Sequence, residues 1–281
     1  MLKTRIVTAV ILLAALVGLL LTPHPLPLLF FLALCAGVTL FEWLRLTQPG
    51  TAWLWPLAGG VLTIGLAWLS WQWLQAPAFG LASVQTALII TALVWLVIVP
   101  WRLWCAQINH QAQSLGWSLF APLCLFATFA GLALFWLHDG IWPLLSLLAI
   151  IWIADILAYF GGRQFGRHKL AAQISPGKTR EGALFGLAGV LIWMLATAPI
   201  QNSYAWLVEQ RWGWAGVIVA ALVLGVLSIM GDLFESYLKR QAQRKDSSGL
   251  LPGHGGIYDR IDAVVAVVPV AAIIVWDMSS G

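Results

Sequence analysis

Charged residues recur at helical spacing between positions 232 and 240. Asp232, Glu235, Ser236, Lys239 and Arg240 stand at i, i+3, i+4, i+7 and i+8. Positions with this spacing share one face of a helix. Carboxylates and cations on one face suit a metal ion and the phosphate groups around it. The alternative is a juxtamembrane helix laced with salt bridges, but Asp232 lies at the apolar end of the stretch, where a purely solvated charge is not expected.

A glycine-rich loop, KDSSGLLPGHGGIYDRID, follows at residues 245–262. Gly253, Gly255 and Gly256 surround His254, and glycines allow the backbone to approach an anion closely. A single histidine is not typical of a zinc site. We therefore expect His254 either to bind a phosphate or to hold the loop in shape.

Three aspartates flank this loop. Asp232 precedes it, and Asp259 and Asp262 stand three residues apart where the next apolar segment begins. An acidic residue stabilises a helix N-terminus through the helix dipole, which explains one aspartate better than all three. Mg²⁺ prefers oxygen ligands and usually takes one or two carboxylates plus substrate phosphates. The three aspartates together therefore favour a Mg²⁺ site.

Another charged stretch, residues 154–182, begins inside an apolar run. Asp155 follows the sequence AIIWIA, and a carboxylate at membrane depth is costly enough to be a functional candidate. The alternative role of Asp155 is an ion pair with a nearby arginine. Tyr159 stands at i+4 and shares its helix face, so we expect the two side chains to border the same space.

The segment SPGKT at residues 175–179 is not a P-loop. That motif requires a glycine where Ala172 stands and a strand before it, and we expect no strand in an all-helical chain. Lys178 and Thr179 precede Glu181 and a new apolar helix, whose N-terminal amides would suit a phosphate. Ordinary capping of that helix explains the local pattern equally well.

The elements that must position these residues are transmembrane helices. Of the 281 residues, 61% are hydrophobic and 9% are charged, and the mean hydropathy is +0.89. Soluble domains are roughly 45–50% apolar, and one soluble core of this length cannot bury so much apolar surface. The eighteen tryptophans are typical of membrane-interface anchors rather than of nucleotide stacking, and we expect no nucleic-acid partner.

Nine apolar segments approach the roughly 20 residues that a helix needs to cross a bilayer. They fall at about 5–22, 26–45, 52–74, 83–101, 117–137, 140–160, 182–200, 213–234 and 262–278. With a cytoplasmic N-terminus, fourteen of the fifteen basic residues lie on the cytoplasmic side and only Arg211 lies outside, in agreement with the positive-inside rule. We predict an all-α integral membrane protein, a polytopic bundle of about nine transmembrane helices with the N-terminus cytoplasmic and the C-terminus outside.

Charge also divides the chain along its length. Both charged stretches fall after residue 150 and on the cytoplasmic side, where the net charge of +4 suits anionic headgroups or phosphates. We therefore predict scaffold and lipid-facing helices in 1–137 and a catalytic transmembrane region in 138–281. The expected location is the inner membrane of a bacterium, with the active site facing the cytoplasm.

The segment from Ser236 to Asp262 resembles the signature of the phosphatidate cytidylyltransferase (CDP-diacylglycerol synthase) family, S-x-x-K-R-x4-K-D-x5-P-G-H-G-G-x-x-D-R-x-D. The earlier stretch resembles the family's AD-x-x-AY…G-x-H-K-L…SP-x-KT-x-EG block. The matching positions of the signature are Ser236, Lys239, Arg240, Lys245, Asp246, Pro252, Gly253, His254, Gly255, Gly256, Asp259, Arg260 and Asp262.

The resemblance implies an enzyme that converts CTP and phosphatidic acid into CDP-diacylglycerol and pyrophosphate in phospholipid biosynthesis. It implies Mg²⁺ as the cofactor, with a second metal ion as an extension of that expectation. The lipid bilayer is the expected surrounding, and a homodimer is the oligomer to test for.

Each candidate site residue receives an expected role on this basis. Asp232 and Asp259 would hold the catalytic cation, with Asp262 and Asp246 in support. Lys239, which we also count as catalytic, would bind phosphates together with Lys178, Thr179, Arg240, Lys245, Arg260 and the backbone at Gly255 and Gly256, with Ser236 and His254 as polar aids. Asp155 and Tyr159 would shape the nucleotide or metal pocket.

Two other functions fit parts of the pattern. A polyprenol kinase would also use CTP but would release CDP instead of pyrophosphate. A transporter would place intramembrane charges along a path, but it should carry polar residues in several spans and an inverted repeat. The first five spans of this chain are nearly free of charge, which favours the enzyme.

Overall fold

The fold is a bundle of long helices. A computed structural model describes residues 14, 17–75, 82–108, 113–251, 253 and 255–276. The helices in these ranges are α1 (Leu26–Thr47), α2 (Trp55–Gln75), α3 (Ala82–Trp104), α4 (Leu115–Asp139), α5 (Ile141–Phe165), α6 (Arg180–Thr197), α7 (Tyr204–Gln241) and α8 (Tyr258–Val275). A short 3₁₀ helix, Pro49–Leu54, joins α1 to α2.

Seven of these helices, α1 to α7, are long and apolar enough to cross a membrane. The eighth, α8, has 18 residues and carries Asp259, Arg260 and Asp262 among its first five, so it lacks the long uncharged stretch that the other seven have. The remaining predicted span, 5–22, lies mostly outside the described residues. The chain is therefore a multi-pass membrane protein, and the count of nine and the placement of both termini stay predictions.

Helix α7 is longer than predicted. It begins at Tyr204 instead of residue 213 and is interrupted at Gly213, whose φ of 65° breaks the helical path. Glycine tolerates this left-handed conformation because it has no Cβ. The added segment is anchored at its two ends, since the Tyr204 hydroxyl donates a hydrogen bond to the Ala271 carbonyl and the Trp212 indole donates one to the Ile274 carbonyl.

Successive helices run in alternating directions. A hydrogen bond from Ser114 to Thr47 joins the end of α1 to the start of α4, and one from Arg102 to Tyr237 joins the last turns of α3 and α7. At the opposite end, the Trp276 indole donates to Asp139. We call the end at which α1, α3, α5 and α7 finish the charged end, because both charged stretches of the sequence lie there.

A small β-hairpin at the charged end departs from the predicted all-α fold. Strand β1 (Lys169–Ala171) pairs antiparallel with β2 (Ser175–Thr179), with Lys169 opposite Thr179. The expectation that no strand accompanies the SPGKT segment is therefore wrong. A two-stranded hairpin is marginal alone, and this one is held by its buried turn residue Ile174, whose carbonyl accepts a hydrogen bond from Arg240 of α7.

Close helix packing brings the charged stretches together. A Cβ on Gly182 of α6 would lie 2.6 Å from the Ala158 carbonyl oxygen of α5, and a Cβ on Gly231 of α7 would lie 2.4 Å from the Asp262 carbonyl oxygen of α8. Glycine lets helix backbones approach where any side chain would collide. The sequence thus sets α5 against α6, and α7 against α8, at the level of the candidate site.

Helix α1 joins the same assembly through a buried aromatic cluster. The Trp43 ring stacks on Tyr258 with centroids 4.9 Å apart, and Phe234 packs against the same tryptophan. All three side chains are fully buried. The first residues of α8 are thereby fixed against both α1 and α7.

Candidate active site

The predicted stripe on α7 contains two polar contacts between residues one turn apart. The Ser236 hydroxyl donates to Asp232 Oδ1 at 3.3 Å, and Lys239 Nζ lies 2.6 Å from Glu235 Oε2, one turn earlier. Lys239 is mostly buried, and Glu235 is almost fully so. The shared helix face inferred from spacing is therefore confirmed, and its members range from buried (Glu235) to partly exposed (Asp232).

Three carboxylates converge where α7 meets α8. Asp232, Glu235 and Asp262 each offer an oxygen, and these oxygens all lie within 4.8 Å of one another. Glu235 Oε1 is buried and has no hydrogen-bond partner among the described residues. A buried carboxylate oxygen is unfavourable without a partner, so this geometry fits a bound cation. Hard oxygen donors of this kind suit Mg²⁺.

The β-hairpin adds a cation to this cluster. Lys178 Nζ, on β2, lies 2.6 Å from Asp232 Oδ2, and both side chains are about one-quarter to one-third exposed. The predicted proximity of the two charged stretches is thus realised by one ion pair. Because the pair is partly exposed, Lys178 is accessible to a ligand that enters beside Asp232.

Asp259 has a different environment from the other aspartates. Its Oδ2 accepts hydrogen bonds from the backbone N–H groups of Ser247 at 3.0 Å and Gly256 at 2.7 Å, and the Ser247 hydroxyl lies 2.7 Å away. Its Oδ1 lies 2.6 Å from Lys239 Nζ. Both oxygens are engaged, so Asp259 closes the loop between α7 and α8 and holds Lys239 beside Glu235.

Sequence reasoning missed the second acidic anchor of this loop, Glu42 of α1. Its carboxylate is fully buried and accepts the backbone N–H groups of Ile257 at 3.2 Å and Tyr258 at 2.6 Å. The hydroxyls of Ser247 and Ser248 bind it at 3.1 and 2.5 Å. The available signal was a lone carboxylate in the apolar run FLALCAGVTLFEWLRL, since an isolated charge at membrane depth needs partners.

A cavity of about 470 Å³ opens beside the ion pair, and we call it the polar cavity. Its wall combines α5, α6, α7 and the hairpin. The polar and charged residues that line it are Asp155, Tyr159, Arg163, Ser175, Lys178, Thr179 and Asp232. The two stretches singled out in the sequence therefore border one space. The described residues contain no ion pair between Asp155 and an arginine, which was its alternative role.

Other predicted site residues have structural contacts or are exposed. Thr179 caps α6 by accepting the Gly182 N–H at 3.1 Å, so the capping explanation of SPGKT is realised. Arg240 binds the hairpin, and Lys245 and Asp246 are exposed. Gly256 is buried, and a Cβ there would lie 2.4 Å from Glu42.

Four signature positions remain: Gly255, Arg260, His254 and Pro252. Gly255 has a φ of +82°, a backbone conformation that favours glycine. The next residue, Gly256, donates its backbone N–H to Asp259. Arg260 is exposed and borders an apolar cavity that is separate from the polar one. His254 lies outside the described residues, as does Pro252, so their predicted roles stay predictions.

Comparison with known proteins places this geometry in context. The model of the cytidylyltransferase family matches residues 3–277. The chain is 34% identical to a phosphatidate cytidylyltransferase of Haemophilus influenzae, over 96% of this chain and 96% of that protein. It is 33% identical to a phosphatidate cytidylyltransferase of Pseudomonas aeruginosa, over 98% of this chain and 97% of that protein. A Helicobacter pylori protein of the same name is 30% identical over 94% of this chain.

Proposed function

The chain belongs to the cytidylyltransferase family, and from this membership we propose that it transfers a cytidylyl group from CTP to phosphatidic acid. The products are CDP-diacylglycerol and pyrophosphate. The observation that carries this conclusion is the similarity to proteins named phosphatidate cytidylyltransferase over nearly the whole chain, rather than over one motif. The protein is accordingly a nucleotidyltransferase that acts on a membrane lipid.

The reaction exchanges one phosphoanhydride bond for another. An oxygen of the lipid phosphate attacks the α-phosphorus of CTP, and a new P–O–P bond forms between lipid and nucleotide. The bond from the α-phosphorus to the oxygen that bridges to the β-phosphate breaks, and pyrophosphate leaves with that electron pair. Such a transfer depends on in-line positioning and on neutralising crowded negative charge. The lipid phosphate is already ionised near neutral pH, so the protein need not supply a strong base.

The carboxylate cluster of Asp232, Glu235 and Asp262 is the proposed seat of the Mg²⁺ ion. When bound, a divalent cation there neutralises phosphate charge and orients the reacting groups. The sequence-based pair, Asp232 with Asp259, stays a prediction for the metal ligands. We favour Glu235 and Asp262 as the partners of Asp232, because oxygens of these three residues lie within 4.8 Å of one another, whereas the oxygens of Asp259 bind Lys239 and the loop donors.

The cations around the polar cavity bind the phosphates of CTP in this proposal. Lys178 already pairs with Asp232. The ammonium group of Lys178 is therefore already positioned at the cavity wall, where it can bind a phosphate of CTP. Arg163 lines the same wall. Lys239 is held between Glu235 and Asp259, where it offsets the charge of the carboxylates behind the phosphates.

The other predicted residues keep supporting roles. Asp155 and Tyr159 shape the nucleotide end of the polar cavity, and Ser236 orients Asp232. In this proposal Arg260 binds the lipid phosphate, the exposed Lys245 binds phosphates as predicted, and the exposed Asp246 supports the metal ligands. A second metal ion, a phosphate contact of His254 and a homodimer are further predictions of this proposal.

The expected setting is the inner membrane of a bacterium. Strict alternation of the helices brings Arg45, Arg102, Arg163 and Lys239 to the charged end, and the positive-inside rule assigns such an end to the cytoplasm. CTP then reaches the polar cavity from water, and the lipid arrives laterally from the bilayer. The division into scaffold helices (1–137) and a catalytic region (138–281) belongs to the same proposal, with Glu42 as a contribution from the first part.

Incubation of the purified protein with CTP, Mg²⁺ and phosphatidic acid tests the function. We expect pyrophosphate and a CDP-lipid in equal amounts. CDP together with a newly phosphorylated lipid would identify a lipid kinase instead. The absence of turnover with every lipid acceptor, combined with CTP-independent solute flux in vesicles, would identify a transporter.

A further inference from the structure

A second cavity, of about 220 Å³, lies among α1, α4, α5 and α8. We call it the apolar cavity, because its wall consists almost entirely of hydrocarbon side chains such as Phe31, Leu125, Leu148 and Val264. The charged side chain on its wall is Arg260, in the first turn of α8. The cavity thus combines an apolar interior with one cation.

The apolar cavity and the polar cavity occupy successive levels along one face of α5. Leu144, Leu148 and Trp152 line the apolar cavity, and Asp155 and Tyr159 line the polar one. The spacings of four, four, three and four residues keep all five on the same side of a helix. The polar cavity lies toward the charged end, and the apolar cavity extends from it toward the opposite end of the bundle.

Helix α8 borders both the apolar cavity and the carboxylate cluster. Ile261 and Val264 line the apolar cavity, whereas Asp262 belongs to the carboxylate cluster. Arg260 precedes these residues, on the first turn of the helix at the charged end. A ligand whose apolar part lies against Val264 would therefore have its anionic part near Arg260.

We propose that the apolar cavity binds an acyl chain of the lipid substrate and so orients the lipid phosphate toward the polar cavity. This inference rests on the proposed function. Phosphatidic acid has the required form, an anionic phosphate at one end and hydrocarbon at the other, and Arg260 supplies the complementary charge. The cavity is interior to four helices, so it fits a chain better than it fits the surface of another protein.

The acyl chain of the lipid reaches the cavity from the bilayer and not from water, so burial of this acyl chain gains little from the hydrophobic effect. What the cavity contributes is orientation, since packing around one chain restricts the lipid to poses in which its phosphate faces the nucleotide. The cavity should therefore affect the choice between substrates with different chains more than the binding of CTP.

The test compares two phosphatidic acids with the same full-length protein. Cys35, on the cavity wall, is replaced by tryptophan to fill the space, and kcat/KM is measured for dipalmitoyl and for dihexanoyl phosphatidic acid, whose short chains do not fill it. We expect Cys35→Trp to lower the ratio of long-chain to short-chain kcat/KM by about tenfold. The neighbouring Leu34→Trp is the matched control, because Leu34 is 52% exposed and does not line the cavity.

The ratio of long-chain to short-chain kcat/KM does not depend on how much of the variant is folded. A smaller fraction of active enzyme lowers both rates equally and leaves the ratio unchanged. If Cys35→Trp gives no folded protein, Trp152→Ala decides instead, since it widens the cavity and should raise the rate with a branched-chain phosphatidic acid relative to the straight-chain one. An unchanged ratio in the deciding variant overturns the acyl-chain site.

The outcomes also separate this inference from the function on which it rests. If the wild-type protein forms CDP-lipid from neither phosphatidic acid, the proposed function fails. If it forms CDP-lipid from both, and the variants leave the ratio at its wild-type value, only the acyl-chain site fails.

Discussion

Glu42 accepts a 2.6 Å hydrogen bond from the backbone N–H of Tyr258, a residue 216 positions away in the chain. The contact joins α1 to the loop that carries the family signature. It is reinforced by the stacking of Trp43 on the Tyr258 ring. The first helix is therefore part of the frame of the active site, although it contributes no side chain to the polar cavity.

Replacing Glu42 by alanine should abolish most of the activity. The change leaves the backbone donors of Ile257 and Tyr258 and the Ser248 hydroxyl without their acceptor, whereas the Ser247 hydroxyl keeps Asp259. Each unmet buried donor costs about 1–3 kcal/mol. We expect faster hydrogen exchange at the Ile257 and Tyr258 amides and a large fall in kcat. Glu42→Gln keeps one acceptor oxygen, so its kcat and its amide exchange rates should lie between those of Glu42→Ala and the wild-type protein.

Thr39→Ala is the matched control for Glu42→Ala. Thr39 is fully buried one turn earlier on α1, but its hydroxyl binds only the Cys35 carbonyl of the same helix. It should leave amide exchange in the loop unchanged. Equal exchange rates in Glu42→Ala and the wild-type protein would refute the anchoring role of Glu42.

Mg²⁺ titrations should separate Asp262 from Asp259. If Asp262 is a metal ligand, Asp262→Asn should raise the Mg²⁺ concentration needed for half-maximal activity by about tenfold or more. Asp259→Asn should abolish turnover at every Mg²⁺ concentration while the protein still inserts into the membrane, because it releases the loop and Lys239. A shifted Mg²⁺ requirement in Asp259→Asn, with none in Asp262→Asn, would restore the assignment of Asp232 and Asp259 as the ligand pair.

Lys178 should contribute chiefly to the binding of CTP. Its ammonium lies on the wall of the polar cavity, and hydrogen bonds to a charged group contribute about 1.5–3 kcal/mol. We expect Lys178→Met to raise KM for CTP by at least about tenfold, which corresponds to 1.4 kcal/mol, with a smaller effect on KM for phosphatidic acid.

Lys169→Met is the control for this change, because Lys169 is an exposed residue of the same hairpin and its loss alters the net charge equally. It should leave both KM values near those of the wild-type protein. If Lys178→Met and Lys169→Met behave alike, the effect is general electrostatics and Lys178 does not bind the triphosphate.

Local periodicity explains which parts of the site could be predicted from the sequence. The stripe on α7 follows from spacing alone, since a helix fixes which residues share a face. The sequence predicted that Lys178 and Asp232 lie on the same side of the membrane, but it did not predict the ion pair between them. Its geometry depends on a hairpin whose strand contains Pro176 and Gly177 and therefore lacks the composition of a strand.

Contacts across long stretches of sequence explain what was missed. Glu42 has partners 205 to 216 positions away, and no local pattern encodes such a pairing. The engagement of Asp259 with Ser247 and Gly256 likewise depends on how the loop folds back. For this reason spacing could not distinguish a metal ligand from a loop anchor among three similar aspartates.

Gly231 should be highly sensitive to substitution. A Cβ at this position would lie 2.4 Å from the Asp262 carbonyl oxygen and 2.8 Å from Ala263 Cα, and backbone atoms cannot yield as a side chain would. Gly231→Ala must therefore separate α7 from α8 and pull Asp262 away from Asp232 and Glu235. We expect a lower melting temperature and a higher Mg²⁺ requirement together.

The same substitution at Gly65 of α2 isolates the packing effect. A Cβ there meets nothing within 4 Å, so Gly65→Ala changes helix propensity, by about 1 kcal/mol in favour of the helix, without a collision. It should match or exceed the wild-type protein in thermal stability and keep its Mg²⁺ requirement. If Gly231→Ala also kept the wild-type Mg²⁺ requirement, the three carboxylates could not depend on the close contact of α7 with α8, and the proposed metal site would lose its structural basis.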